Sequence, residues 1–411
     1  MSAVNSREHR DLAAAAAREG LVLLEAGVLP LNPSSFSKPG ALLVTGPNAL
    51  LVASGNYATI TDVNVTAWEG VSSSLPAGVA VLAPGCSSTG GNDTTGFPAA
   101  VSAAGRAQAI VAFLGLDGTQ EYEDSTRASL GLPGAQEALL AALAAVAGPR
   151  GTPIVLVLQG GSAVAPSPAA LEIGTRGGIL WAGYGGEEAG TAIADALFGR
   201  YNPAGRMPFT SYASVDHLPP YQNMSMTGAP FGRTFRYYTG PAPIWRFGEG
   251  GGYSPFAYGP VRAGVAGSAP TLPSLPPCTP LTLSLNVTNL GGVSGDEVAQ
   301  VYVRLNGLGS SLTPLLNLVD FKRFNVGPGE SVQVSFTVPP RHLAIVDADL
   351  PGGGGWKQVP VMAGLFVGGG QPRGDEDWFG PQAILVNITA PPTGIPISTC
   401  PDYSISSSFS L

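Results

Sequence analysis

Short, continuously apolar runs punctuate the first half of the chain, and the pattern changes character past its middle. Residues 41–45, 78–82, 109–115, 154–158 and 178–182 are apolar at successive positions rather than at alternate ones. That composition suits parallel strands covered by helices on both faces, because neither side of the strand meets water. Helical stretches such as 136–146 lie between them. A last helix, 187–198, places Ala189, Ile193 and Leu197 on one face and stops at Gly199, before the turn sequence Asn202-Pro203-Ala204-Gly205. Ahead of these runs, residues 6–24 read as one helix with a Ser6 cap, an Ala-rich body and an apolar end, closed by Gly27 and Pro30. After residue 213 long periodic elements vanish, until period-two patterning takes over. Leu281, Leu283, Leu285 and Val287 alternate with polar residues, and Val298, Val301, Val303 and then Val332, Val334, Phe336, Val338 repeat the style. Turns such as Gly327-Pro328-Gly329 between such short strands predict an antiparallel β-sandwich.

The expected fold class is therefore α/β plus all-β: an open, largely parallel α/β sandwich followed by an antiparallel β-sandwich. Expected boundaries are a leading helix and linker at 1–35, the α/β domain at 36–212, a surface-wrapped linker at 213–270, the β-sandwich at 271–395 and a poorly ordered tail at 396–411. A length of 411 residues suits two such cores. With 44% hydrophobic and 12% charged residues the chain is too apolar for disorder, although 57 Gly and 38 Pro make it rich in turns. The net charge of −8, with cations scattered singly, lacks the basic footprint of a nucleic-acid binder. No run reaches the ~20 apolar residues that span a bilayer, so no membrane partner is expected.

Five acceptor sequons for N-glycosylation, at Asn64, Asn92, Asn223, Asn286 and Asn387, argue for secretion to the extracellular space or cell wall, although no signal peptide is visible at the N-terminus. Of three cysteines, Cys278 and Cys400 flank the C-terminal unit and are candidates to staple its ends, which leaves Cys86 over. His9, His217 and His342 lack ligand spacing, so no metal is expected. Gly183-Tyr184-Gly185-Gly186 fails the glycine order of a nucleotide fingerprint. Trp181, Trp245 and Tyr57 could stack on sugars, core packing being the plainer reading.

The sharpest candidate chemistry follows the run 109–115, where Asp117, Glu121, Glu123 and Asp124 crowd one loop. Ligands of open α/β sheets bind beyond the carboxyl ends of strands, and a carboxylic acid is what glycoside hydrolysis needs to protonate a leaving oxygen. A solvated acidic loop is the competing reading. The segment Gly115-Leu116-Asp117-Gly118-Thr119-Gln120-Glu121-Tyr122-Glu123, continued by Arg127, Leu130 and Leu132-Pro133-Gly134, resembles the signature of glycoside hydrolase family 3 β-xylosidases. Further blocks resemble that family in order: Gly46-Pro47-Asn48-Ala49, Gly55-Asn56-Tyr57-Ala58, residues 179–186, Ala194-Asp195-Ala196-Leu197-Phe198-Gly199 and residues 202–208. Residues 295–303 and Phe321-Lys322-Arg323 resemble its fibronectin type III-like domain.

The resemblance implies a retaining, exo-acting β-glycosidase of the β-xylosidase/β-glucosidase type. An Asp nucleophile would come from a (β/α)8 barrel and an acid/base Glu from the α/β domain, with no cofactor. By motif position that Glu is Glu121, with Glu123 second because the loop's register varies. The implied partners are an oligosaccharide or glycoside substrate and the barrel, in cis or in trans. Nothing in the 411 residues resembles the barrel, so this chain alone is expected to be inactive. Departures from the family pattern include Thr126 for the Asp before Arg127, and Gly90 and Gly91 where a second cysteine follows Cys86. They favour, as the alternative, a non-catalytic carbohydrate-binding or wall-associated protein derived from such an enzyme.

Overall fold

The computed structural model describes residues 5–52, 54–55, 57–58, 63–124, 126–265, 274–308, 313–350 and 354–400. The chain divides into two compact units: Met1–His217 with Pro241–Pro255 and Val293–Asp296, and Leu218–Gly240 with Phe256–Gly292 and Glu297–Leu411.

In the first unit, helix α1 (Arg7–Glu19) starts where the Ser6 hydroxyl accepts from the His9 N–H at 3.3 Å. It stops at Gly20, earlier than the apolar pattern suggested, and Val22–Glu25 forms strand β1. A short run that is apolar on every side does not distinguish a buried strand from a helix end by periodicity. Here the edge of the sheet claims it. The remaining elements alternate: β2 (Leu42–Thr45), α2 (Ala67–Ser73), β3 (Ala80–Leu82), α3 (Phe97–Ala104), β4 (Ala109–Gly115), α4 (Gln136–Ala147), β5 (Ile154–Gln159), α5 (Pro168–Gly177), β6 (Ile179–Gly183) and α6 (Ala189–Leu197). The sheet order is β1-β6-β5-β4-β2-β3, parallel throughout except for β1.

Alternate residues of the central strands feed two separate cores, which is why the runs are continuously apolar. Val44, Val111, Phe113 and Val157 pack with Val71 of α2 and Ile193 and Leu197 of α6 on one face. Ile110, Leu114, Leu156 and Leu158 pack with Ala100 of α3, Leu139 and Leu143 of α4 and Ala170 of α5 on the other. Helices α2 and α6 approach closely enough that a Cβ on Gly190 would stand 2.0 Å from the Thr66 carbonyl oxygen, so that crossing requires glycine.

After α7 (Thr234–Tyr237), the second unit is built from β7 (Phe256–Tyr258), β8 (Arg262–Gly264), β9 (Ser274–Leu275), β10 (Leu281–Asn289), β11 (Gly295–Asn306), β12 (Asn317–Val326), β13 (Ser331–Val338), β14 (Ile345–Asp347), β15 (Gly355–Gln358), β16 (Val361–Gly368), β17 (Ala383–Ile388) and β18 (Ile395–Pro396). One sheet runs β13-β10-β7 with β8 also on β10; a second runs β12-β11-β16-β17-β9; a third is β14-β15-β18. The inward rows Leu281, Leu283, Leu285, Val287 and Ala299, Val301, Val303 meet Phe336, Leu365 and Val386 in a single core.

Three expectations change. The stretch 213–270 is not all linker, because β7 and β8 hydrogen-bond to β10; three-residue edge strands bounded by prolines are too short to show a period. Val298 faces away from the core, since the inward register at the start of β11 is Glu297, Ala299, Val301. The segment 395–400, placed mostly in a loose tail, forms β18 and a 3-10 turn and ends at Cys400, which is disulfide-bonded to Cys278 across 122 residues. Residues 401–411 lie outside the described residues.

Candidate active site

The carboxyl ends of β2, β4, β5 and β6 are neighbours in the sheet, and their loops converge on the acidic segment after β4. Gly115 closes β4 at φ +134°, with its Cα so near β5 that a Cβ would lie 1.9 Å from the Gln159 carbonyl oxygen. Only glycine fits that turn. Gln136, fully buried at the start of α4, then pins the strand end. Its Oε1 accepts from the Gly115 N–H, and its Nε2 donates to the carbonyls of Gly115 and Thr89, each at 2.8 Å.

Asp117 organises the loop rather than facing out of it. One of its oxygens accepts from the Thr119 N–H (2.8 Å) and hydroxyl (2.6 Å), and the other accepts from the Thr89 hydroxyl at 2.6 Å. The backbone N–H of Glu121 returns to the Asp117 carbonyl at 3.1 Å, making a tight turn.

Glu121 is half-buried and engaged at both oxygens. Its Oε2 accepts from the Gly161 N–H at 2.8 Å and from the Tyr184 hydroxyl, and its Oε1 accepts from the Ser162 hydroxyl. Ser162 in turn accepts from Arg127 Nη2 at 3.1 Å, and the same nitrogen donates to the Ala163 carbonyl at 2.5 Å. Burial, reinforced by the bond to Glu121, holds the Tyr184 phenol far above its ordinary value, so it remains a donor at any physiological pH. Burial lowers the Arg127 guanidinium, while the charge of Glu121 works the other way. A Cβ on Gly161 would come 3.0 Å from the Tyr184 ring. Loops of β4, β5 and β6 are thus tied together through one carboxylate.

Glu123, two residues on, is different. It is exposed and, among the described residues, has one hydrogen bond, accepted at Oε2 from the hydroxyl of Tyr57, itself 79% exposed. That bond raises the Tyr57 phenol above its ordinary value. Beside the loop lies a cavity of about 310 Å³ lined by Asn48, Asp117, Gln159 and Tyr184 among others. Asn48 Oδ1 and Gln159 Oε1 are buried there without a partner among the described residues.

The acidic loop stands out in the sequence, and the side chains that hold Glu121 do not. Ser162 and Tyr184 went unassigned, although Gly160-Gly161-Ser162 directly after an apolar strand is a signal of the same kind as the one that marked the β4 loop. Of the aromatic candidates, Trp245 is buried in the core, Trp181 packs edge-on to Phe209 at 5.7 Å, and Tyr57 alone is exposed. The sequon asparagines Asn92, Asn286 and Asn387 are exposed, whereas Asn64 and Asn223 are half-buried.

Comparison with known proteins gives this geometry a context. A model of the glycosyl hydrolase family 3 C-terminal domain matches residues 21–253, and one of the fibronectin type III-like domain matches residues 297–370. A probable β-D-xylosidase 6 of Arabidopsis thaliana is 31% identical over 399 residues, covering 88% of this chain and 48% of its own. A periplasmic β-glucosidase of Salmonella typhimurium is 31% identical, with 81% and 45% covered. Among solved structures, a β-glucosidase from Erythrobacter marinus superposes with a TM-score of 0.76 at 29% identity, covering 94% of this chain and 51% of its own. The chain spans about half the length of the relatives it matches. It belongs to glycoside hydrolase family 3, as a C-terminal α/β domain followed by a fibronectin type III-like domain.

Proposed function

We propose that this chain is the acid/base half of a retaining, exo-acting β-glycosidase of the β-xylosidase kind, cleaving terminal β-linked sugars from xylan or hemicellulose oligosaccharides. The nucleophile is an Asp on a (β/α)8 barrel, joined in cis or supplied in trans. Retention needs the two carboxyl groups only about 5 to 5.5 Å apart across the sugar, so the acid/base group has to stand clear of its own domain.

The observation that carries this reading is the contrast between the two glutamates. Motif position puts Glu121 first, but the geometry favours Glu123. Proton delivery from Glu121 requires giving up bonds from Ser162, Tyr184 or Gly161, whereas Glu123 is exposed and, among the described residues, accepts only from the Tyr57 phenol. In the first half-reaction the protonated Glu123 gives its proton to the departing glycosidic oxygen as the nucleophile attacks C1. In the second, the Glu123 carboxylate takes a proton from the water that opens the glycosyl-enzyme, regenerating the acid. Glu121 acts as a positioning residue, holding the turn from which Glu123 projects. Secretion is supported by the Cys278–Cys400 disulfide and by exposed sequons at Asn92, Asn286 and Asn387.

The test is steady-state hydrolysis of aryl β-xylosides by this chain joined to a family 3 barrel. Glu123→Gln is expected to lower kcat/KM by about 10²–10⁴-fold for poor leaving groups and little for dinitrophenyl xyloside, which departs unprotonated. If Glu121→Gln shows that leaving-group dependence instead, Glu121 is the acid/base residue and the proposed roles exchange.

A further inference from the structure

The second unit holds a cavity of about 450 Å³, far in sequence from the acidic loop, lined by Arg236 and Tyr237 of α7, by Asn317, by Arg341 and His342, and by Trp356 on β15. That volume lies within the range of small-molecule sites. Trp356 is 42% exposed, pairs across strands with the exposed Val346, and both line the cavity, so an apolar ring face is presented to it.

The charge of the lining is one-sided. Arg236 and Arg341 face the cavity, and among the described residues neither has an acidic partner; Arg236 lies against the Tyr237 ring at 5.6 Å, and its Nε is buried without a hydrogen bond. No carboxylate appears among the described lining residues; Asp347, on the same strand as Val346, pairs with Lys357 at 2.8 Å. Burial keeps His342 neutral, so it adds no third charge. Two guanidiniums without counter-ions call for a planar carboxylate, which an arginine fork binds through paired hydrogen bonds. The exposed indole calls for a ring with an apolar face, since weakly positive C–H bonds pack on the negative face of an aromatic ring. A pyranose bearing a carboxylate satisfies both.

We propose that this cavity binds a hexuronic-acid residue, stacked on Trp356 with its carboxylate against Arg341 and Arg236. The cavity shares no lining residue with the proposed catalytic loop, and the proposal does not depend on that loop's assignment.

The test is calorimetric titration of the full chain with methyl β-D-glucuronide and methyl β-D-glucoside, which differ only at C6, with sodium sulfate as the anion control. The glucuronide is expected to bind at least about tenfold more tightly than the glucoside, about 1.4 kcal/mol. Arg341→Gln should erase that preference and leave the glucoside unchanged, Trp356→Ala should weaken both, and sulfate should not compete at equal concentration. Equal affinity for the two glycosides, no binding of the glucuronide, an unaltered preference in Arg341→Gln, or competition by sulfate as effective as the glucuronide would each overturn the proposal. The wild-type comparison needs no variant, and Arg341 is exposed, so its replacement does not threaten folding.

Discussion

Tyr184→Phe removes one oxygen from the site and asks whether Glu121 is an anchor. Among the described residues the phenol is one of three donors to that carboxylate, the others being the Gly161 N–H at 2.8 Å and the Ser162 hydroxyl. A hydrogen bond to a charged acceptor contributes about 1.5–3 kcal/mol, but Glu121 is only half-buried and two donors remain, so water offsets part of the loss. An expected cost of about 1 kcal/mol follows, which lowers the melting temperature by about 2–4 °C in a unit of this size. Urea unfolding followed by tryptophan fluorescence reads it as a lower midpoint with an unchanged slope. Ser162→Ala should cost a similar amount, and the double variant less or more than the sum, because both side chains serve one carboxylate. Tyr57→Phe is the control: its bond to Glu123 is fully exposed, so the midpoint should not move. The anchoring argument fails if Tyr57→Phe destabilises the protein as much as Tyr184→Phe, or if Tyr184→Phe leaves the midpoint where it was.

Other consequences can be checked alongside. Gly190→Ala drives a methyl to 2.0 Å from the Thr66 carbonyl and should cost about 1–3 kcal/mol in urea unfolding of the first unit. Replacing Cys278 and Cys400 together by Ser frees a 122-residue loop in the unfolded state and should destabilise the second unit by up to about 4–5 kcal/mol on the chain-entropy account, with the first unit's transition unmoved. His342 is depressed to about 4 from an ordinary 6.5, mainly by burial and then by the Arg341 charge. The unfolded chain therefore binds its proton first, so stability present above pH 6.5 is lost as pH falls toward 4; allowing for partial exposure the loss is at most about 2 kcal/mol, and His342→Leu should remove it from a urea midpoint series.

Much of the architecture was legible because burial on both faces or on one face leaves different marks. The runs at 109–115 and 154–158 are apolar at every position since adjacent residues enter different cores, and Leu281, Leu283, Leu285, Val287 alternate since only one face of β10 is buried. Where an element is short that contrast vanishes: Val22–Glu25 and Phe256–Tyr258 carry too few residues to show a period and are specified by the strands they pair with. The same limit explains the site. Position after a strand and a crowd of carboxylates marked the β4 loop, but choosing between Glu121 and Glu123 depends on Tyr57, Ser162 and Tyr184, which lie 41 to 66 residues away and meet the loop only through the sheet order.

The most direct measurement of the central claim is chemical rescue with sodium azide, made on the chain joined to a family 3 barrel with dinitrophenyl β-xyloside as substrate. Once Glu123 is replaced by Ala, the glycosyl-enzyme lacks its general base, and small azide can enter the vacated space and attack C1 without one. The account predicts that azide restores turnover in Glu123→Ala with formation of β-xylosyl azide, seen by proton NMR, and has no such effect on Glu121→Ala. Azide product formed by Glu121→Ala and not by Glu123→Ala would contradict it.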